Sequence, residues 1–210
     1  MPLDWSQQFL RSPRGKLIAQ LRRGPATVEQ LAAAVGLTPN GVRAHLATLE
    51  RDGWIHSGGI RRQQGPGKPA ALYVLSDGAE PLLSAAYRPL LVGLVDALAR
   101  SERPARLRGF FRTAGKRLAA QIGEAGKGGP AERATRLLEA LGATVEVKKG
   151  RKGNFELLGL GCPVAEVVAV APQACQAMST LLAEALDARV VECCDRSGSP
   201  RCRFAVTPRA

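Results

Sequence analysis

Hydrophobic positions near the N-terminus recur at helical spacing. Leu17, Ile18 and Leu21 share one face of a short helix predicted over 15–23, which Gly24-Pro25 breaks. Thr27 is a good N-cap, and Gln30 three residues later completes a capping box. Val28, Leu31, Ala32 and Val35 form the inner stripe of the next helix, which Gly36 ends. Thr38 caps a third helix with Val42, Leu46 and Leu49 inward, closed by Asp52-Gly53. Two short helices across a tight glycine-containing turn carry the helix-turn-helix signature.

The period then changes to two. Trp54-Ile55-His56 and Ala71 to Leu75 read as the strands of a hairpin whose tip, Arg61 to Pro69, is polar, basic and rich in Pro and Gly. In this order the hairpin is a wing, placed to touch the DNA backbone. Residues 1–79 are therefore expected to form a winged helix-turn-helix domain.

From residue 80 the pattern becomes α+β. Pro81 to Ala99 reads as one nearly continuous apolar helix, kinked at Pro89, with more than one apolar stripe; a second subunit is the natural cover for it. Ser101 to Ile122 is a second long helix with Leu107, Phe110, Phe111 and Leu118 inward and an arginine-rich outer face. A helix from Ala131 to Leu141, a hairpin turning at Lys149 to Gly153, and a helix from Pro172 to Leu186 follow. The chain ends in a second hairpin, so residues 80–210 form the expected dimerisation and sensor domain.

Charge narrows the partner. The 210 residues carry a net charge of +12, which favours a polyanion because Lys and Arg release counterions from phosphates. No apolar run is long enough to span a membrane and the N-terminus lacks a signal-peptide core, so a cytoplasmic location is expected. With Val42, Leu46 and Leu49 inward, the predicted recognition helix presents Thr38, Asn40, Gly41, Arg43, Ala44 and His45. Arg43 suits guanine, Asn40 suits adenine or a phosphate, and His45 suits a phosphate. Arg61, Arg62 and Lys68 are the wing's candidates for phosphate or minor groove. Only two histidines are present, with no nucleophile motif or phosphate loop, so an enzyme is not expected.

All five cysteines lie between Cys162 and Cys202, a cluster that in a reducing compartment points to metal or redox chemistry. Cys162 sits in a glycine-rich loop before Pro163. Cys175 falls in the first turn of the Pro172 helix, where the helix dipole is expected to favour thiolate. With Ser197-Gly198 as a two-residue turn, Cys193 would face Cys202, Val191 would face Phe204 and Cys194 would point away. Cys162, Cys175, Cys193 and Cys202 are thus the expected ligands of one site; four thiolates suit zinc or an iron–sulfur cluster equally by count.

The stretch Thr27 to Ile55, followed by Gly67-Lys68-Pro69-x-x-Leu72-Tyr73-x-Leu75-Ser76, resembles bacterial winged-helix repressors of the broad ArsR/DeoR kind. Phe111-x-x-Ala114-Gly115-x-x-Leu118-Ala119 and Cys162-Pro163, Cys175 and Cys202-Arg203-Phe204 bring it closest to the Suf-operon repressor type. The resemblance implies a homodimeric regulator, in the first place a repressor, that binds an inverted repeat in double-stranded DNA and senses iron–sulfur or redox status through a cluster. Lys68 stands where that wing usually has Arg, and Val164 where an aromatic residue follows Cys-Pro. A small-molecule sensor, or a zinc or thiol–disulfide switch, with the same DNA head are the alternatives.

Overall fold

A computed structural model of the chain describes residues 5–61, 69–123 and 126–209. Its contacts divide into two compact units, residues 1–88 and 89–210.

In the first unit, α1 (Trp5–Arg11), α2 (Pro13–Leu21), α3 (Val28–Val35) and α4 (Pro39–Arg51) precede the hairpin β1 (Ile55–Arg61) and β2 (Ala70–Leu75). Side chains satisfy the orphan N–H groups at three helix starts. Ser12 accepts from the Gly15 amide at 3.1 Å and Thr38 from the Gly41 amide at 3.2 Å. Thr27 and Gln30 exchange hydrogen bonds of 3.3 and 2.9 Å, the capping box that the sequence predicts. Leu17, Ile18, Leu31, Val42, Leu46, Leu49 and Ile55 close the core beneath these helices. Phe9 of α1 stacks on Trp54 at 5.4 Å, extending that core over the start of the hairpin.

The wing pairs antiparallel with Ile55 opposite Leu75, and its register is irregular between Ser57 and Ile60. Gly58 and Gly59 make that irregularity possible. Gly59 has φ +110°, and a Cβ at Gly58 would run into the Val74 side chain. Ala26 adds a third, single-bridge strand by exchanging backbone hydrogen bonds with Tyr73 at 3.2 and 2.9 Å.

The apolar stretch expected as one helix over 81–99 is two helices, α5 (Ala79–Leu83) and α6 (Tyr87–Ser101). The break falls at Ser84, which is extended. Pro89 does not kink the helix, because it lies in the first turn of α6, where a missing N–H leaves no bond unmade. Leu83 packs into the first core.

The second unit continues with α7 (Pro104–Ile122), α8 (Pro130–Ala140), β3 (Val145–Lys149), β4 (Phe155–Gly159), α9 (Ala165–Val170), α10 (Cys175–Leu186), β5 (Ala188–Glu192) and β6 (Arg203–Pro208). A 3-10 turn, Pro172–Ala174, leads into α10. The sheet is antiparallel in the order β3-β4-β6-β5. Leu157, Phe204 and Val206 on its inner face meet Leu137, Leu138, Leu181 and Leu182 from α8 and α10. Helices α7 and α10 cross closely at Gly115, where an added Cβ would meet the Ala177 carbonyl and come within 2.9 Å of Thr180. The fold is thus a winged helix followed by an α+β unit. No helix among the described residues is long and apolar enough to cross a membrane.

Candidate nucleic-acid interface and thiol site

Helix α4 buries Val42, Leu46 and Leu49 and turns its opposite face outward, as the helical period predicts. Thr38, Asn40, Arg43 and Ala44 are exposed, and Gly41 and His45 are half-buried. Thr38 spends its hydroxyl on the helix cap. Arg43 is held on both sides: one guanidinium nitrogen donates to the Asn40 carboxamide oxygen at 3.0 Å, and another to Glu29 of α3 at 3.4 Å. Glu29 is the residue that sequence reasoning missed here, since only the packing of α3 against α4 brings it to Arg43. An open groove of about 420 Å³ runs from Arg43 and Glu29 to Pro69, Ala70 and Tyr73 of the hairpin. Arg61 is exposed at the end of β1, opposite Ala70. Arg62 and Lys68, the other wing candidates, lie outside the described residues.

The cysteines converge in the second unit, though not in the expected register. Glu192 pairs with Phe204 and Val191 with Ala205, one residue away from the predicted alignment. The turn is the reason. Asp195 bridges Arg201, and its carboxylate accepts from the Ser197 amide at 2.9 Å and the Ser197 hydroxyl at 2.7 Å. This closes a five-residue loop, 196–200, in place of the two-residue turn at Ser197-Gly198. The same two bonds hold the Asp195 carboxyl below the usual carboxylate range. Glu192 escapes the cost of standing opposite buried Phe204 because Arg196 donates to it at 2.6 Å and the Cys194 amide at 3.3 Å.

The slip exchanges the roles of the two neighbouring thiols. Cys193 is exposed, with its sulfur 3.8 Å from the Val191 carbonyl. Cys194 faces inward. Its sulfur accepts from the Arg203 amide at 3.3 Å, and it lies with the Cys175 sulfur and a Glu192 carboxylate oxygen, all within 4.8 Å of one another. Cys202 is buried and hydrogen-bonds to Cys194. Cys162 is half-buried, and like Cys194 it packs against both core clusters of this unit, one containing Cys175 and the other Cys202. The Cys202 amide donates to the Gly161 carbonyl at 3.4 Å, which ties the Cys162 loop to that strand.

The electrostatics correct a second expectation. Cys175 starts α10, yet its thiol pKa is raised far above the ordinary range rather than lowered by the dipole. Its hydrogen bond to Cys194 and its burial outweigh the Arg196 guanidinium, which also bonds to it. For Cys194 the bond from Cys175 pulls downward, but the bond to Cys202, burial and the Glu192 charge prevail and push it up to about 12. Both thiols are therefore protonated near neutral pH. Arg196, bonded to Cys175 and Glu192, holds its proton more tightly than usual.

Residues 6–59 match the family model for the DprA winged helix domain, which supports the winged-helix fold of the first unit. The match does not extend to the repressor resemblance or to the second unit. No curated protein and no solved structure matches the chain.

Proposed function

We propose that this chain is a cytoplasmic transcription regulator, a repressor, that binds double-stranded DNA through α4 and the wing. The observation that carries the reading is the outward face of α4, where Asn40 and Arg43 stand free of the core at the helix start, the position from which a recognition helix reads base edges. The protein acts by binding and not by catalysis. Selection of bound sequences from a random duplex library, followed by footprinting, tests it: an enriched site with two symmetric halves is expected, and enrichment of no sequence would refute it.

The reading includes a homodimer on an inverted repeat. Tyr87, Leu90, Leu91 and Leu94 are exposed on one side of α6, a run of apolar surface that a second copy would cover. The adjoining face of α6 packs Val95 into the same cluster as Cys175, so a change at the thiols reaches the helix that carries the pairing surface. In this reading the half-site spacing is what the sensor resets.

The sensor is the thiol site, and the group it is read to hold is an iron–sulfur cluster. Soft donors gathered where two core clusters meet suit it, and Cys194 takes the place that sequence assigned to Cys193. Cys162, Cys175, Cys194 and Cys202 would hold it. A bound cluster supplies redox and oxygen sensitivity that the side chains lack. The chain's own contribution is to bury the donors, to place Arg196 beside them, and to release the protons of Cys175 and Cys194 on loading. Zinc is the second reading, favoured by Glu192, because zinc takes carboxylate oxygen as well as thiolate sulfur. A small-molecule effector is the third reading; an open pocket of about 460 Å³ beside α7 and α10 is lined by Ala119, Ala120, Ala185 and Leu186 and rimmed by Lys116, Arg133, Glu184 and Asp187.

A further inference from the structure

The hairpin β3–β4 carries a concentration of positive charge that the reading above does not use. Lys148, Lys149, Arg151 and Lys152 occupy four of five consecutive positions at its tip, and all are exposed. Lys148 stands opposite Glu156, whose carboxylate is already paired with Arg203 at 2.9 Å. Lys149, Arg151 and Lys152 have no ion-pair partner among the described residues.

The tip is held in one shape. The Gly150 amide donates to the Asn154 carbonyl at 2.8 Å and the Asn154 amide to the Arg151 carbonyl at 3.1 Å. Lys152 and Gly153 both adopt left-handed backbone, at φ 55° and 77°. Beside it lies an open groove of about 320 Å³ lined by Lys148, Lys149, Arg151, Asn154 and Thr207.

We propose that this hairpin is a second, sequence-independent contact for duplex DNA, gripping the phosphate backbone from the second unit. Lysines on an edge strand can serve only to block strand addition, and β3 is an edge strand. Arg151 and Lys152, however, lie beyond the last ladder pair, Lys149 with Phe155, and guard no edge. A membrane surface is the weaker partner, because Gly150 to Asn154 contains no aromatic or aliphatic side chain to enter the headgroup layer. Phosphates spaced along a duplex match several cations on a hydrogen-bonded tip.

The test compares the full chain with Lys149→Gln/Arg151→Gln/Lys152→Asn, in which asparagine keeps the left-handed position tolerable. Affinity for cognate and random duplexes of 40 base pairs or so is measured against salt. The expected result is a loss of about tenfold or more on both duplexes, with a salt slope shallower by about two to three units. Arg43→Ala, run in parallel, reports on the reading head separately: it lowers the cognate-to-random ratio and changes the slope little. The milder Arg151→Gln variant, with its thermal melt, stands in if the triple variant does not fold, and should shallow the slope by about one unit. Unchanged affinity and slope on duplex DNA would overturn the proposal. So would losses confined to single-stranded RNA, or to vesicles of phosphatidylserine and phosphatidylcholine.

Discussion

The Arg43 guanidinium donates to the Asn40 carboxamide at 3.0 Å, one turn back on the outward face of α4. In the free protein the two side chains that best suit base edges therefore hold each other, and Glu29 holds Arg43 from the other side. Pre-alignment of this kind lowers the entropy lost when the pair meets DNA, while the Glu29 contact must be given up. Arg43→Ala is expected to cost about 1–3 kcal/mol at the cognate site and to relax base preference at one position. Glu29→Ala, which leaves Arg43 with the Asn40 bond alone, is expected to tighten binding modestly. Fluorescence anisotropy with a set of single-base variants of the site measures both.

Gly115 permits the close crossing of α7 and α10 against the Ala177 carbonyl. Gly115→Ala adds only a methyl group, but backbone cannot move aside as a side chain tip can. A loss of about 1–3 kcal/mol in urea unfolding is expected. Gly93→Ala, at a helical glycine with nothing near its missing Cβ, is the control and should be neutral or slightly stabilising.

The register of the last hairpin makes Cys194 the inward thiol and Cys193 the outward one. Iron, sulfide and zinc are to be measured in protein purified without oxygen, for each Cys→Ser variant. Cys162→Ser, Cys175→Ser, Cys194→Ser and Cys202→Ser should each lower the metal content, and Cys193→Ser should leave it unchanged. Loss with Cys193→Ser alone would restore the register first expected from the sequence.

Because the Cys175 and Cys194 thiols are both raised above the ordinary thiol value of about 8.5, loading displaces protons throughout the neutral range. Apparent metal affinity should rise with pH by about two log units per pH unit or more, since Cys175 and Cys194 each give up a proton and the other thiol ligands add to the slope. The metal-free protein should behave in the opposite sense. A raised thiol stabilises the fold below its unfolded pKa, and that stability is lost as pH climbs above about 9. Melting temperatures between pH 7 and 10 check the sign, and Cys194→Ser should flatten the alkaline decline.

The first unit was largely legible because its signals are local. Thr27 with Gln30, Thr38 before α4 and the stripe of Val42, Leu46 and Leu49 each declare themselves within a few residues. The parts that escaped depend on contacts distant in sequence or on turn chemistry. Glu29 meets Arg43 only through helix packing, and Ala26 joins Tyr73 across the wing. In the second unit, Ser197-Gly198 looked like a two-residue turn, but the Asp195 carboxylate captured the Ser197 amide and lengthened the loop. One residue of slip then exchanged Cys193 for Cys194, since side chains alternate along a strand. The same local reading mistook Cys175 for a dipole-activated thiolate, because its hydrogen bond to Cys194 is invisible until the strand is in register.

Leu90→Glu with Leu94→Glu should convert a dimer to a monomer in sedimentation velocity and leave the circular dichroism spectrum unchanged, since both side chains are exposed in the single chain. Cognate affinity should fall far more than affinity for a single half-site. A monomeric wild-type protein would remove the pairing surface from the account.

Discrimination between a cognate duplex and random duplex DNA of equal length tests the central claim most directly. A site recovered by selection from a random library is titrated at fixed salt against its scrambled counterpart, with single-stranded RNA as a third probe. The account predicts binding to the selected duplex at least about a thousandfold tighter than to the scrambled one, with footprints in two symmetric halves and a discrimination about five- to 150-fold lower in Arg43→Ala. Equal affinity for all three probes would contradict it.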